Sequence, residues 1–341
     1  MKAYPLREVK KIKYEDVPTP NVPSGWCLVK VKAAGICSSD IPRIYSKGTY
    51  HFPTICGHEF SGIVSQVSNS EDATLIGNKV GVFPLIPCKI CSQCKQGKYE
   101  MCSNYDYIGS RRDGAFAEYV AVPTWNLIEL DSEISFEEAA MMEPLAVALH
   151  AVKRMKIKET DKIAIIGTGM IAFAAAQWCA IRSDNPVTII GRSDSKKFIA
   201  DKLNGIKYVK SQDCNETFDC ILEAVGSNES IDQAINMANA GGQIVLMGNP
   251  EGDICLSQNT YWKILRRQLM VTGTWNSSYE KNCKSDWSEV RDALSSHSIT
   301  VKPLISHCFS QEELLKALEL MHNRKEPYCK VMTIWNKEII E

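Results

Sequence analysis

Cys88, Cys91, Cys94 and Cys102 place four thiols within fifteen residues. Three stand at C-x2-C-x2-C spacing and the fourth follows after seven intervening residues. One loop could therefore wrap all four thiolates around a single tetrahedral Zn²⁺. Four sulfurs leave no coordination position for a substrate, so such a metal would be structural and would hold a segment of little apolar content, Pro87 to Asn104, in one conformation. An iron–sulfur cluster asks for the same number of cysteines. Zinc is preferred because the chain also offers a second, different donor set and a nucleotide-binding turn.

That second set is dispersed: Cys37, then His58 with Glu59, then Glu143. Thiolate, imidazole and carboxylate are the donors of an open zinc site, with three protein ligands and the fourth place left for water or substrate. Such a zinc polarises an alcohol oxygen and stabilises the alkoxide from which hydride leaves. Singly, each residue has an ordinary role, as a buried thiol, a core histidine or a charge at a helix start. Nothing in the spacing alone joins them.

A third constellation is Gly167, Gly169 and Ala172, a G-x-G-x-x-A turn between an apolar run from Lys162 and a run of small residues. The first glycine permits the tight turn, the second lets backbone approach a pyrophosphate, and the small third residue lets helix and strand pack closely. About twenty residues on, at the end of the next strand, an NAD-binding protein usually carries an acid for the ribose hydroxyls. Here Gly191, Arg192 and Ser193 stand in that place. Room, a guanidinium fork and a hydroxyl favour a 2′-phosphate, so NADP is favoured over NAD.

These residues need two kinds of scaffold. Short apolar runs over 27–33, 62–67, 79–83 and 117–122, separated by turn residues, predict a small β barrel or sandwich. From about 161 to 273 strand-like runs (162–167, 187–190, 218–224, 243–247, 269–273) alternate with helical patterns (170–182, 194–203, 229–240), which predicts a parallel sheet covered on both faces. An amphipathic helix over 311–322 and a strand over 330–335 are too little for a domain and are expected to return to the first one. With 341 residues, 45% apolar and 23% charged, the chain suits two globular domains. A net charge of −1 and a pI near 6.6 give no footprint for nucleic acid or an anionic membrane. No apolar run approaches the length of a membrane span, Met1 to Asp16 does not read as a signal peptide, and fourteen cysteines fit a reducing compartment. The expectation is a cytoplasmic protein without nucleic-acid or membrane partners.

Gly57-His58-Glu59-Phe60-Ser61-Gly62-Ile63-Val64, Gly77 to Val80, the four-cysteine lobe and the glycine turn resemble the zinc-dependent medium-chain alcohol and polyol dehydrogenases over essentially the whole chain. Within that family, Ser39 to Ile44, Tyr105 to Gly114 and Glu143-Pro144 are most similar to the galactitol-1-phosphate 5-dehydrogenases. The resemblance implies an α/β plus β fold: a GroES-like β-barrel catalytic domain (1–150), a Rossmann doubly wound cofactor domain (151–290) and a C-terminal return (291–341). It implies one catalytic zinc at Cys37, His58 and Glu143, with Glu59 able to exchange in or hold the metal's water, and one structural zinc at Cys88, Cys91, Cys94 and Cys102. Ser39 matches the position that begins proton transfer. Pro42 replaces a histidine that carries the proton outward in other members, so release must use water, Glu59 or the cofactor ribose. Gly273 to Ser278 lacks the substrate-side arginine of sorbitol dehydrogenases, and Asn276 lies in that segment. The implied substrate is a polyol or polyol phosphate, with Arg43, Lys47, Arg111 and Arg112 as candidates for its anion, and the implied assembly is a homodimer or homotetramer. An unphosphorylated polyol or diol is the alternative, and a non-catalytic nucleotide-binding zinc protein a more distant one.

Overall fold

The computed structural model describes residues 1–336; residues 337–341, the end of the expected C-terminal return, lie outside the described residues. The chain separates into two compact units. One holds Met1–Glu143 and the chain from Ser278 onward, the other Pro144–Ser277. Against expected changes of domain near 150 and 290, the units divide between Glu143 and Pro144, inside the continuous helix Met142–Arg154, and again between Ser277 and Ser278.

In the first unit the organising element is β1 (Trp26–Ile36), a long strand buried along most of its length. It pairs antiparallel with β2 (Glu59–Val67), which pairs with β3 (Lys79–Val82). On its other edge the first half of β1 takes β4 (Tyr119–Pro123), while β5 (Leu127–Glu129) extends the sheet beyond β3. These strands cover the four apolar runs of the sequence, with β1 and β2 extended toward each other past the purely apolar residues. Helix α1 (Phe136–Ala140) begins at a capping box in which Ser135 and Glu138 each satisfy the other's backbone N–H. Ser61 Oγ donates to the Phe136 carbonyl at 2.6 Å, tying that helix start to β2. Helix α2 (Met142–Arg154) follows and carries Glu143 in its first turn.

The second unit contains six parallel strands: β6 (Ile163–Ile166), β7 (Val187–Gly191), β8 (Ile206–Lys210), β9 (Phe218–Glu223), β10 (Ala238–Leu246) and β11 (Met270–Gly273). Their spatial order is β8-β7-β6-β9-β10-β11. This is the doubly wound order, in which the connections reverse beside β6 and leave a crevice at the strand ends. Four consecutive buried apolar residues make β6, and α3 (Met170–Ala180) follows it with a run of small buried side chains that allows close approach to the sheet. Where a helix was expected over 194–203, the chain makes only a tight turn and the short helix Lys197–Ala200. The helix expected over 229–240 ends at Met237, and β10 starts at once; Gly241, at φ +74, is in a conformation no helix continues.

The chain then returns to the first unit. β12 (Ile305–Ser310) leads through α4 (Leu314–Asn323) to β13 (Lys330–Ile334). β13 runs antiparallel to the far half of β1, completing a seven-stranded sheet. Leu318, Met321, Val331 and Trp335 from this return are buried in one core with Val31, Phe60, Val80 and Phe116. The first unit is thus completed by residues almost three hundred positions from its first strand, as the sequence implied.

Candidate active site and structural metal lobe

Register decides what meets at the end of β1. Gly35 pairs with Glu59, and Ile36 with Val331. Three strand ends converge as a result: Cys37 leaves β1, His58-Glu59 enters β2, and Lys330 opens β13. A Cβ on Gly35 would run into the Glu59 carboxylate, so only glycine admits that side chain here. One ligand atom from each of Cys37, His58 and Glu59 lies within 4.8 Å of the others. Thiol, imidazole and carboxylate are the donor types of an open zinc site, and the geometry fits one.

The groups behind this trio are mostly ones the sequence did not reveal. Asp40, fully buried, takes the Cys37 backbone N–H at 3.0 Å and stands 3.5 Å from His58 Nδ1, which has no hydrogen-bond partner within geometric reach among the described residues. Burial would push the Asp40 carboxyl up, but His58 and Arg43 outweigh it and hold the group below the usual carboxylate range. Burial likewise disfavours charge on His58, yet Asp40 and Cys37 raise it well above an ordinary imidazole. Lys330, buried, is ion-paired with Glu59 and donates to the Ile36 carbonyl at 3.3 Å. Asp40 had a local signal, three residues past Cys37 at the start of a helical turn. Lys330 had none, because only strand pairing brings it to Glu59.

Glu143 stands outside the trio. It is buried, and its Oε1 accepts a hydrogen bond from the Tyr107 hydroxyl at 3.2 Å. Burial pushes its carboxyl up to about 7, with His58 acting against and Glu59 with that shift. The Tyr107 ring meets His58 edge-on at 5.7 Å. Ser39 Oγ lies 3.2 Å from Cys37 Sγ and 2.8 Å from Arg43 Nη1. The other cations named for a substrate anion are differently placed. Arg111 lies over the rings of Tyr50 and Tyr105, Arg112 is paired with Asp106, and Lys47 is exposed.

The four-cysteine segment closes as its spacing implied. Sγ–Sγ distances are 3.5 Å for Cys88–Cys102, 3.9 Å for Cys91–Cys102 and 4.0 Å for Cys88–Cys94. A zinc with bonds of about 2.3 Å needs tetrahedron edges of about 3.8 Å. Backbone N–H groups of Cys94 and Ser103 hold Cys91 down at about 5, while burial pushes Cys94 up to about 12. None of the fourteen cysteines is in a disulfide.

In the second unit, Gly167 at φ +124 makes the turn after β6, and Gly169 caps α3. Among the described residues, its chain neighbours apart, nothing lies within 4 Å of where a Cβ on Gly169 would be, so the open space suits a ligand and is not filled by packing. Ala172 is buried. Gly191 ends β7 buried, and Arg192 and Ser193 after it are exposed. A Cβ on Gly191 would fall on the Tyr208 hydroxyl and 2.7 Å from Thr168 Cγ2; that hydroxyl donates to the Ser193 carbonyl. Asn276, at φ +57, takes the Ser277 N–H on its own Oδ1 at 3.0 Å.

Residues 23–132 match the alcohol dehydrogenase GroES-like domain, and residues 167–296 the zinc-binding dehydrogenase domain. Galactitol 1-phosphate 5-dehydrogenase of Escherichia coli K12 is 33% identical over 301 residues, 85% of this chain and 87% of that one. The crystal structure of galactitol-1-phosphate dehydrogenase from Escherichia coli superposes with a TM-score of 0.90 at 31% identity, covering 98% of this chain and 100% of the other. A zinc-binding dehydrogenase from Sinorhizobium meliloti, solved with NADP, gives 0.88 at 28% identity over 98% of each chain. With a GroES-like unit, a doubly wound cofactor unit and dehydrogenase relatives across most of its length, the chain belongs to the zinc-dependent medium-chain dehydrogenases and is an NAD(P)-dependent alcohol dehydrogenase.

Proposed function

We propose that the protein exchanges hydride reversibly between a sugar-alcohol phosphate and NADP, using the site at the ends of β1, β2 and β13. The observation that carries this reading is the convergence of Cys37, His58 and Glu59. These three would hold the catalytic zinc, and Glu143 would be the carboxylate able to replace Glu59, which Lys330 restrains by its ion pair. A zinc bound there supplies Lewis acidity toward the substrate oxygen. Ser39 accepts the hydrogen bond of the substrate hydroxyl and so orients it, and the proton leaves to water or the cofactor because Pro42 offers no proton carrier. The Gly167-to-Ala172 turn and the first N–H groups of α3 take the cofactor diphosphate.

The phosphorylated substrate rests on the galactitol 1-phosphate 5-dehydrogenase relative and on Arg43 beside Ser39 and Cys37. One observation favours an unphosphorylated polyol instead: Arg43, Arg111 and Arg112 are already engaged with protein partners. Initial rates over paired polyols and polyol phosphates, each with NADP and with NAD, separate the readings. Higher kcat/KM for the phosphates with NADP is expected. Faster oxidation of the neutral polyol would remove the phosphate claim and leave the dehydrogenase standing.

The cofactor claim has its own test. Without an acid at the end of β7, and with exposed Arg192 and Ser193, the loop favours the 2′-phosphate; the NADP-bound relative is consistent with this. Introducing the missing acid as Gly191→Asp meets Tyr208, and overpacking of that kind costs about 1–3 kcal/mol. Thermal melts are expected to show Gly191→Asp destabilised and largely recovered by adding Tyr208→Ala. NAD affinity should improve by roughly tenfold or more only in the double variant, since a charge-assisted contact is worth about 1.5–3 kcal/mol. Tighter NAD than NADP binding by the unaltered protein would defeat the cofactor reading. Finally, β11 leaves an edge of the parallel sheet exposed, which supports assembly with further copies of the chain as a homodimer or homotetramer.

A further inference from the structure

Arg43 begins the wide helical turn Arg43–Lys47, directly after the turn Asp40–Pro42. Ser39 is four residues before it and Asp40 three, so the three side chains share one face. A single guanidinium nitrogen, Nη1, reaches both partners, at 2.8 Å from Ser39 Oγ and 3.2 Å from Asp40 Oδ1. Both of those side chains touch the trio. Ser39 faces Cys37 Sγ, while Asp40 holds the Cys37 N–H with Oδ2 and faces His58 with Oδ1.

Arginine only donates, which fixes the direction of the whole chain of contacts. Ser39 Oγ must accept from Nη1, so its one proton is left for the Cys37 sulfur 3.2 Å away. One oxygen lone pair then remains for a substrate hydroxyl. On the other branch, the guanidinium is a cation in direct contact with the fully buried Asp40 carboxylate, whose burial is costly without such a partner. Arg43 thus reaches Cys37 through Ser39 and His58 through Asp40.

We propose that Arg43 is a positioning residue for the catalytic metal. It aims the Ser39 hydroxyl at the Cys37 sulfur and braces Asp40 against His58, so that both ligands are presented in one orientation. This rests on the reading of Cys37 and His58 as metal ligands. Groups behind a metal ligand typically change affinity by about 10–100-fold. A hydroxyl donated to the sulfur also lowers the sulfur lone pair, which sets the energy at which charge passes from thiolate to metal.

The test compares the unaltered protein with Arg43→Ala, Arg43→Lys and Ser39→Ala, using zinc competition against a chelator and the absorption spectrum of Co²⁺ exchanged into the site. Arg43→Ala is expected to weaken the catalytic zinc by about ten- to a hundredfold and shift the sulfur-to-cobalt band to lower energy, with the four-cysteine zinc retained. Arg43→Lys, whose shorter side chain keeps the contact to Asp40 but not the one to Ser39, should recover part of the affinity. Ser39→Ala should give the same band shift, and adding Arg43→Ala to it should move the band no further.

Unchanged zinc affinity and an unchanged band in Arg43→Ala, with KM raised only for polyol phosphates, would overturn the proposal and make Arg43 a substrate-anion contact. If Arg43→Ala does not fold, the Arg43→Lys and Ser39→Ala spectra decide, and two unshifted bands would overturn it equally. Absence of any sulfur-to-cobalt band in the unaltered protein would instead defeat the ligand reading beneath it.

Discussion

Replacing Cys37 by alanine is expected to abolish turnover while leaving a folded protein with one zinc per chain in place of about two. Among the described residues the sulfur is one of three donors that converge at the end of β1, and one of the other two, Glu59, is already paired with Lys330. His58 and a restrained carboxylate make a poor site, since an open zinc centre takes three protein ligands. Losing the metal removes several kcal/mol of charge stabilisation from the transition state. At about 1.4 kcal/mol per tenfold, a fall in kcat/KM of at least a thousandfold follows. The fold should tolerate the change because Cys37 lies past the end of the strand, and the core below it is made by Val31, Ile36, Phe60 and Trp335. Metal analysis, circular dichroism and initial rates check this together. An active Cys37→Ala protein, or one still holding both zincs, would sink the assignment.

What the sequence made legible was what local chemistry writes locally. The four-cysteine lobe and the glycine turn are short motifs whose spacing carries their geometry, and both appear where they were expected. Strands with two buried faces, such as β1 and β6, announce themselves as apolar runs. β8 did not, because Lys207 and Lys210 make it a half-polar edge strand, and with it Tyr208 went unread as the side chain over Gly191. The open site is the instructive case. Cys37, His58, Glu59 and Glu143 could be assembled only by resemblance, since their meeting depends on the register of β1 against β2. Lys330 depends on β13 returning from the far end of the chain. Glu143 and Glu59 are both carboxylates of suitable type, so composition could not rank them; the Gly35–Glu59 pairing brings Glu59 to Cys37 and His58, while Tyr107 engages Glu143.

The Cys94→Ala change should act on stability, not on chemistry. The segment from Cys88 to Cys102 has little regular structure beyond the two short turns Cys94–Gln96 and Tyr99–Met101, and Ile90 and Met101 are exposed, so little apolar burial holds it. Tyr99 and Lys89 pack on the Trp125 ring, and the rest of its order must come from the four sulfurs, which stand near the tetrahedral edges a zinc requires. Structural zinc binding is itself folding free energy, and a three-sulfur remnant forfeits a good part of it. A loss of about 4 kcal/mol corresponds to roughly ten degrees in Tm for a domain of this size. Cys94 is the most informative position because burial keeps it a thiol up to about 12 in the absence of metal. Zinc must expel its proton, so the metal should be lost more readily as pH falls. Calorimetry of Cys94→Ala, with chelator-treated unaltered protein beside it, should show both melting early, and the variant should bind one zinc with its active-site metal still exchangeable for Co²⁺. A Cys94→Ala protein that melts with the unaltered one would show that the lobe holds its shape without the metal, and the structural role would fall.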